Sequence, residues 1–598
     1  MGSDQKKIVP INYTNREFEG IREDLLEIAE RLYPESFQDF SEASFGSLMV
    51  DSVAYVADQL SFYMDYNVNE SFLDTAHQYN NVLRMGRSLG YKFTGRPSTY
   101  GTVAMFVVVP ASATGIGPDR NYVPILKRGS RFTSQNNLNF VLLENVDFGD
   151  LKNPVVVARV NPTTGAPTQY AIKAFGNVVS GYFSSTEVVV GNYERFKRVR
   201  LPIPDIAEII SVFDSDANEY YEVDYLSQDM VYREVSNKNF KNDNTPSILK
   251  PYLVSRKFVV EKDRENTYLQ FGSGESGATN VVTNPQEVVM DIFGKNYTTD
   301  TTFDPTRLSK TKSLGIAPSN TTLTVSYRVT NPANSNVAVG SLDTVSNAMF
   351  DFADRSLLSN DGIQGVISSL EVSNEEPIVG DVSYATTNEV KRRIFDTFPT
   401  QNRAVTQADY ENLCYRMPTK FGSIKRVSAQ KDPDSKKRNL NLYVISEDTF
   451  GKLTTTNQTI KKNLKTWLNQ HRMINDTVDI LDPYIINYGI EFIIRPSSGA
   501  DRFTTLNAAV DAIKRNYQSA TYIGESIHLS DIYEILKQVE GVLDVVKVKF
   551  VNKTGLNYSN ATIDMKKNMS PNGDYLMIPK NAIAELKFPE NDIKGKIR

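Results

Sequence analysis

The chain has little of what most catalysts and most secreted proteins depend on. Its 598 residues include one cysteine, Cys414, so no intramolecular disulfide can form. Histidine is the commonest acid–base group at neutral pH, and only His77, His471 and His528 are present, far apart along the chain. Neither sign of charge dominates, with 66 basic and 71 acidic residues and a net charge of −5. That balance argues against the basic face that a nucleic-acid binder needs. No apolar run approaches the roughly 20 residues needed to cross a bilayer. The opening MGSDQKKIVPINYTNRE has no apolar signal core. Together these absences set the expectation: several domains, synthesis in a cytoplasm, no enzymatic activity, no cofactor or metal, no nucleic acid and no membrane partner.

What is present is aromatic. Tyrosine (31) and phenylalanine (30) far outnumber tryptophan (1), a skew that suits interfaces better than catalysis. The densest stretch runs from Glu42 to Ala76. In it Phe45, Leu48, Met49, Ser52, Val53, Val56, Leu60, Tyr63 and Asn67 recur at steps of three and four, the period of one helix face. Tyr55, Phe62 and Tyr66 widen that face. A core helix of the same chain and an intersubunit helix are equally compatible with the pattern. Either way so much aromatic surface must be covered.

Around this segment the spacing predicts helices over 14–33 (capped by Thr14 or Asn15) and from about Thr75 to Leu89, closed by Gly90. From Thr99 the period changes to two. Strands are expected at Thr102–Val109, Phe140–Leu143, Val155–Val160, Ser185–Gly191, Ile209–Phe213 and Leu323–Val329, among others. Asn388–Phe398 and Arg403–Leu413 read as helices, the second with Thr406 as N-cap and Asp409 three residues on, a capping box. Beyond 424 strands alternate with helices, including one over Thr454–His471, as in an α+β sandwich. Residues 552–598 are rich in Asn and Lys and are expected to order only against a neighbour. The organisation read from this is α+β and multidomain. It comprises a helical arm (1–95), a β-rich body (96–345), a helical connector (346–423), an α+β domain (424–551) and an extension (552–598).

Other constellations have plainer readings. Phe271-Gly-Ser-Gly-Glu-Ser-Gly277 lacks the spacing of a phosphate loop and reads as a turn at a strand end. Asp214, Asp216, Glu219, Glu222 and Asp224 lack calcium-loop spacing and read as a solvated surface. Lys425, Arg426, Lys461, Lys462 and Lys465 read as a solvated basic face, or as contact with an acidic neighbour. Cys414 reads as a small core residue, and His471 and His528 as helix-end residues.

Three segments, in this order and spacing, resemble the baseplate J-like family, wedge proteins in contractile phage tails and related injection machines. They are 42–76, with its Phe45-Gly46 step and Asn-Glu-Ser-Phe72-Leu-Asp-Thr-Ala ending; 267–275, with Phe271, Gly272 and Gly274; and 403–427, with Thr406, Asp409 and Tyr410. The resemblance implies a structural subunit of a virion's tail baseplate that dimerises, with the C-terminal α+β sandwich as a dimerisation module. It implies wedges linked into a ring around a central hub that rearranges on sheath contraction. Further partners would be a second helical-bundle wedge subunit and a sheath-initiating, lysozyme-like subunit. Phe45, Leu48, Met49, Val56, Leu60, Tyr63 and Phe72 would then form the interface of the helical arm. A β-rich, polysaccharide-degrading tail enzyme or an adhesin is the alternative.

Overall fold

The computed structural model describes residues 16–32, 44–237, 247–274, 314–331, 334–435, 439–517 and 521–598. The expected caps at Thr14 and Asn15, the helix start at Glu42 and the glycine-rich residues 275–277 lie outside them. The chain divides into two compact units: one of the chain up to Tyr91 with Ala385–Phe395, the other of Lys92–Tyr384 and Asp396–Arg598.

The first unit holds α1 (Phe18–Leu32), α2 (Phe45–Glu70) and α3 (Tyr79–Ser88), with the first part of the helix Thr387–Thr400. Its fully buried apolar side chains are few: Ala54, Ala76, Val82, Leu83, Val390 and Ile394, with Tyr91 nearly so. Gly86 of α3 permits close packing there, since a Cβ on it would come within 2.7 Å of the Ile394 Cδ1.

The second unit is built on sheets. In the first sheet, Tyr100–Pro110 pairs antiparallel along its length with Pro167–Ser180, Ala104 opposite Phe175. Val103, Met105, Val107 and Val109 point into a core closed by Ile363 and Val366 of the helix Asn360–Ser368. A second seven-stranded sheet runs from Tyr182–Val190 through Thr321–Val329 and Ile206–Phe213 to Lys257–Lys262 and Thr267–Phe271. Arg328, on the strand Thr321–Val329, is fully buried. It is held by the Glu208 carboxylate at 2.7 Å, Ser98 Oγ at 3.0 Å and the Ser180 carbonyl at 2.7 Å, as a buried charge requires.

The C-terminal part is α+β. Asn439–Glu447 pairs antiparallel with Arg426–Lys431 and parallel with Thr477–Leu481, under the helices Gln407–Tyr415 and Gln458–Asn469. Tyr484–Pro496 is the centre of the last sheet, under the helices Arg502–Asn516 and Leu529–Lys537. Asn336 ties the two β regions of this unit together: its amide donates to the Asp381 and Glu447 carbonyls at 2.8 and 2.9 Å.

Two expectations need correction. Residues 552–598 do not wait for a neighbour to order. Ala582–Glu585 and Ile593–Ile597 both pair parallel with Tyr484–Pro496, and Leu576, Ile583 and Ala584 are buried. The tail supplies one whole edge of the last sheet. The helix expected from Thr454 starts at Gln458, because Leu453–Thr455 is a strand antiparallel to Ile445–Glu447. Its β-branched threonines favour that choice.

Candidate partner interface

α2 is capped by Ser44, whose backbone is extended and whose side-chain hydroxyl accepts the Ser47 N–H at 3.0 Å. Gly46 lies in the first turn and is half-buried. α1 lies antiparallel along α2, with ion pairs from Arg16 to Asp65 at 2.6 Å and from Arg22 to Asp51 at 2.5 Å. Ser47, Asp51, Ala54, Asp58, Ser61 and Asp65 therefore face α1. At 100° per residue they occupy an arc of about 80°. Ser47 and Ala54 are buried in the contact.

The aromatic residues point the other way. The arc from Tyr55 and Phe62 through Phe45, Val56 and Tyr63 to Met64 spans about 200° of the helix wheel. Apart from the half-buried Tyr66, every large apolar residue in it is more than half exposed, from 51% at Met49 to 76% at Phe45. Phe62 stacks on Tyr66 and meets Tyr63 edge-on, at centroid distances of 6.2 and 5.9 Å. At 150–250 Å² per large side chain, this arc exposes about 1,000 Å² of apolar surface. A typical monomer's largest patch is about 300–600 Å². Up to Asn69 no Asp, Glu, Lys or Arg lies within the arc; Glu70, which falls in it at the last position of α2, is buried. Phe72, just past the helix, is exposed as well.

The end of α2 is fixed by Glu70. Its carboxylate accepts the Asn81 amide at 2.9 Å and the backbone N–H groups of His77 and Gln78 at 2.7 and 3.0 Å. These bonds, that of Asn81 foremost, hold the carboxyl below the usual range. One side chain thus ties the last turn of α2 to the start of α3 and satisfies the free N–H groups of His77 and Gln78.

The remaining motif residues serve the fold of the second unit. Phe271 is fully buried, edge-on to Tyr220 at 5.5 Å. Gly272 is required by close approach, because a Cβ there would lie 2.1 Å from the Gly315 carbonyl oxygen. Gly274 donates to that same carbonyl at 3.0 Å and accepts from Ala317, so its backbone holds no spare donors for a phosphate. Thr406 and Asp409 form the reciprocal capping box of the helix Gln407–Tyr415. Tyr410 is buried and donates to Asp476 at 2.9 Å.

The basic cluster is solvated only in part: Lys462 and Lys465 are exposed, as expected, but the other three are engaged. Lys461 is buried against Asp482 at 2.6 Å, Lys425 pairs with Glu447, and Arg426 is buried over the Tyr522 ring at 4.6 Å. Asp214 closes its own turn by accepting from Asp216 and Asn218. Cys414 is buried, which pushes its thiol well above the usual value. His471 donates from Nδ1 to the Asn402 carbonyl at 3.0 Å and rests on Trp467. His528 makes no capping hydrogen bond and packs on Tyr575. Among the described residues no group of three or more His, Cys, Asp or Glu side chains could hold a metal ion, and no helix is long and apolar enough to cross a membrane.

Sequence reasoning found the aromatic face but missed the small-residue stripe at Ser47, Ala54 and Ser61. Its seven-residue spacing was the available signal.

Residues 17–88 match the family described as "Bacteriophage baseplate protein, N-terminal domain". That span contains α1, α2 and α3. Among solved structures the chain is similar to one in the "Cryo-EM structure of the anti-feeding prophage (AFP) baseplate, 6-fold symmetrised". The identity is 11%, covering 94% of this chain and 89% of that chain, with a TM-score of 0.24. That likeness is too distant to transfer an arrangement of parts. No curated protein matches the chain.

Proposed function

We propose that this chain is a structural subunit of the baseplate of a contractile phage tail or of a tail-derived injection machine. One observation carries the reading. The helices that match a baseplate N-terminal domain are the ones that present an uncharged aromatic face to solvent. A surface of that area and composition belongs in an assembly.

The finer assignment is to the baseplate J-like wedge proteins, of which the T-even-type wedge subunit encoded by gene six is the pattern. In this role the chain dimerises and links wedges into a ring around the hub. Phe45, Leu48, Met49, Val56, Leu60, Tyr63 and Phe72 form the arm's contact with its neighbours. A second helical-bundle wedge subunit and a sheath-initiating, lysozyme-like subunit complete its surroundings. The C-terminal α+β domain is a further self-association module. Rearrangement on sheath contraction repacks interfaces between rigid bodies rather than deforming the sheets.

The test is antibody labelling of purified contractile particles, imaged by electron microscopy. Label confined to the sheath-proximal end plate supports the reading. Absence from every particle, with intact protein in the lysate, refutes it.

A further inference from the structure

The last sheet has helices on one face only. Ile490, Phe492 and Ile494 of the strand Tyr484–Pro496 are buried in the core beneath the helices Arg502–Asn516 and Leu529–Lys537. Side chains alternate along a strand, so Glu491, Ile493 and Arg495 lie on the other face. Register fixes what stands beside them. Glu491 lies between Lys549 of Val542–Asn552 and Lys594 of Ile593–Ile597, and Ile493 lies between Lys547 and Lys596. All four lysines are exposed, and no salt bridge to a described residue engages them. Ile493 is half-buried, and Arg495 has Asp544 opposite it. The outward face is therefore two lysine rails flanking a central line that carries one apolar residue.

We propose that this face docks an acidic amphipathic helix of another protein. The helix lies along Tyr484–Pro496, with its carboxylates over both rails and an apolar side chain over Ile493. The dimensions agree. Strands about 4.8 Å apart set the rails about 10 Å from each other, close to the width of a helix with its side chains, about 10–12 Å. Along each rail the lysines are two residues apart, about 6.7 Å, near the roughly 6 Å rise between residues i and i+4 of a helix. With helices already on the inner face, one more on the outer face completes a layering of helix, sheet and helix.

Other occupants fit less well. A second copy of the same face would set lysine against lysine. Single-stranded nucleic acid stacks its bases on aromatic side chains, and none stands in these rows. Glu491 at the centre repels a phosphodiester backbone. An added strand is opposed by the lysines themselves, which blunt both edges of the sheet. This surface is separate from α2, and the inference goes beyond the baseplate reading without depending on it.

Binding of a fluorescent peptide of Glu-Leu-Glu-Ala repeats to the full chain tests it. The expected result is binding that weakens as salt rises. It is also expected to weaken by about tenfold or more when Lys547→Gln, Lys549→Gln, Lys594→Gln and Lys596→Gln are combined. Ile493→Glu, which keeps the lysines on both edges, is expected to lose a similar factor. Lys462→Gln with Lys465→Gln, exposed lysines of the helix Gln458–Asn469, is expected to change binding by less than about twofold. Urea denaturation shows whether each variant keeps its fold. Binding left unchanged by either face variant in its folded state would overturn the proposal, as would an equal loss in the Lys462 and Lys465 pair. Duplex DNA bound more tightly than the peptide, and released by the same face variants, would make this a nucleic-acid surface and overturn it too. The end-plate label is unaffected by any of these results, so the two readings fail separately.

Discussion

If the aromatic face of α2 is reserved for a partner, local stability and assembly respond to different residues of the same helix. The informative pair is Ala54→Leu and Leu60→Ala. Ala54 is fully buried beneath α1, whereas Leu60 is 58% exposed. Adding three carbons at Ala54 overfills a close helix contact, at a cost of about 1–3 kcal/mol. In the single chain Leu60→Ala is a surface change worth about 0.5 kcal/mol or less, helped by alanine's high helix propensity. In the assembly the order reverses. The exposed part of Leu60, roughly 100 Å², loses about 2–3 kcal/mol of burial per copy when truncated. Hydrogen exchange of the full chain at sub-micromolar concentration, read on peptides from α1 and α2, separates the two. Ala54→Leu is expected to speed exchange by about 5- to 100-fold and Leu60→Ala by less than about threefold. Sedimentation at high concentration, or co-assembly with baseplate components, is expected to show the larger loss for Leu60→Ala. Equal loss of protection in both variants would mean that the aromatic face is already covered within the chain.

Other expected outcomes concern the second unit. Gly272→Ala is expected to destabilise by about 3 kcal/mol or more through backbone collision, while Gly191→Ala, with open space around its Cβ, stays within about 0.5 kcal/mol in urea denaturation. Thr406→Ala is expected to cost about 1 kcal/mol by removing one half of the capping box. The Lys262 amine is enclosed, donating to the Thr94 and Ala207 carbonyls at 2.9 Å each, and burial pushes its pKa from 10.5 to about 8. Between those values the unfolded chain binds the extra proton, so unfolding free energy gains a term that rises with pH and is complete above about 10.5. Denaturation of the wild type and Lys262→Met at pH 7.5 and 9.5 should differ by that term, and parallel curves would contradict it. Deleting 582–598 is expected to expose Ile486 and Ile490 and to unfold the last sheet, seen as loss of protection in 484–552.

The succession of a helical, a β-rich and an α+β region along the chain was legible because its periods are strong. α2 announces itself through aromatic spacing, the strand Tyr100–Pro110 through an unbroken valine run, and the helix Gln407–Tyr415 through its cap. The direction of α2 was not legible. Large apolar residues ordinarily mark the buried face, but here the buried face is made of Ser47, Ala54 and the aspartates that pair with α1. The tail was misread for another reason. Its strands are four and five residues long and pair parallel with residues about 100 positions earlier, so nothing local records the partner. Within the basic cluster Lys461, Lys425 and Arg426 looked solvated because their partners, Asp482, Glu447 and the Tyr522 ring, come from elsewhere in the chain. The Gly272 motif was legible as a turn, while its reason, the neighbouring Gly315 carbonyl, lies across an undescribed stretch.

The central claim is that the α2 face is bare in the single chain and covered in a baseplate. Thiol labelling of Tyr63→Cys tests it most directly, since Tyr63 is exposed and the native Cys414 is buried. The account predicts rapid labelling of the dilute free chain and protection of about 100-fold or more in purified contractile particles that contain the variant. Equal labelling rates in the free chain and the particles would contradict it.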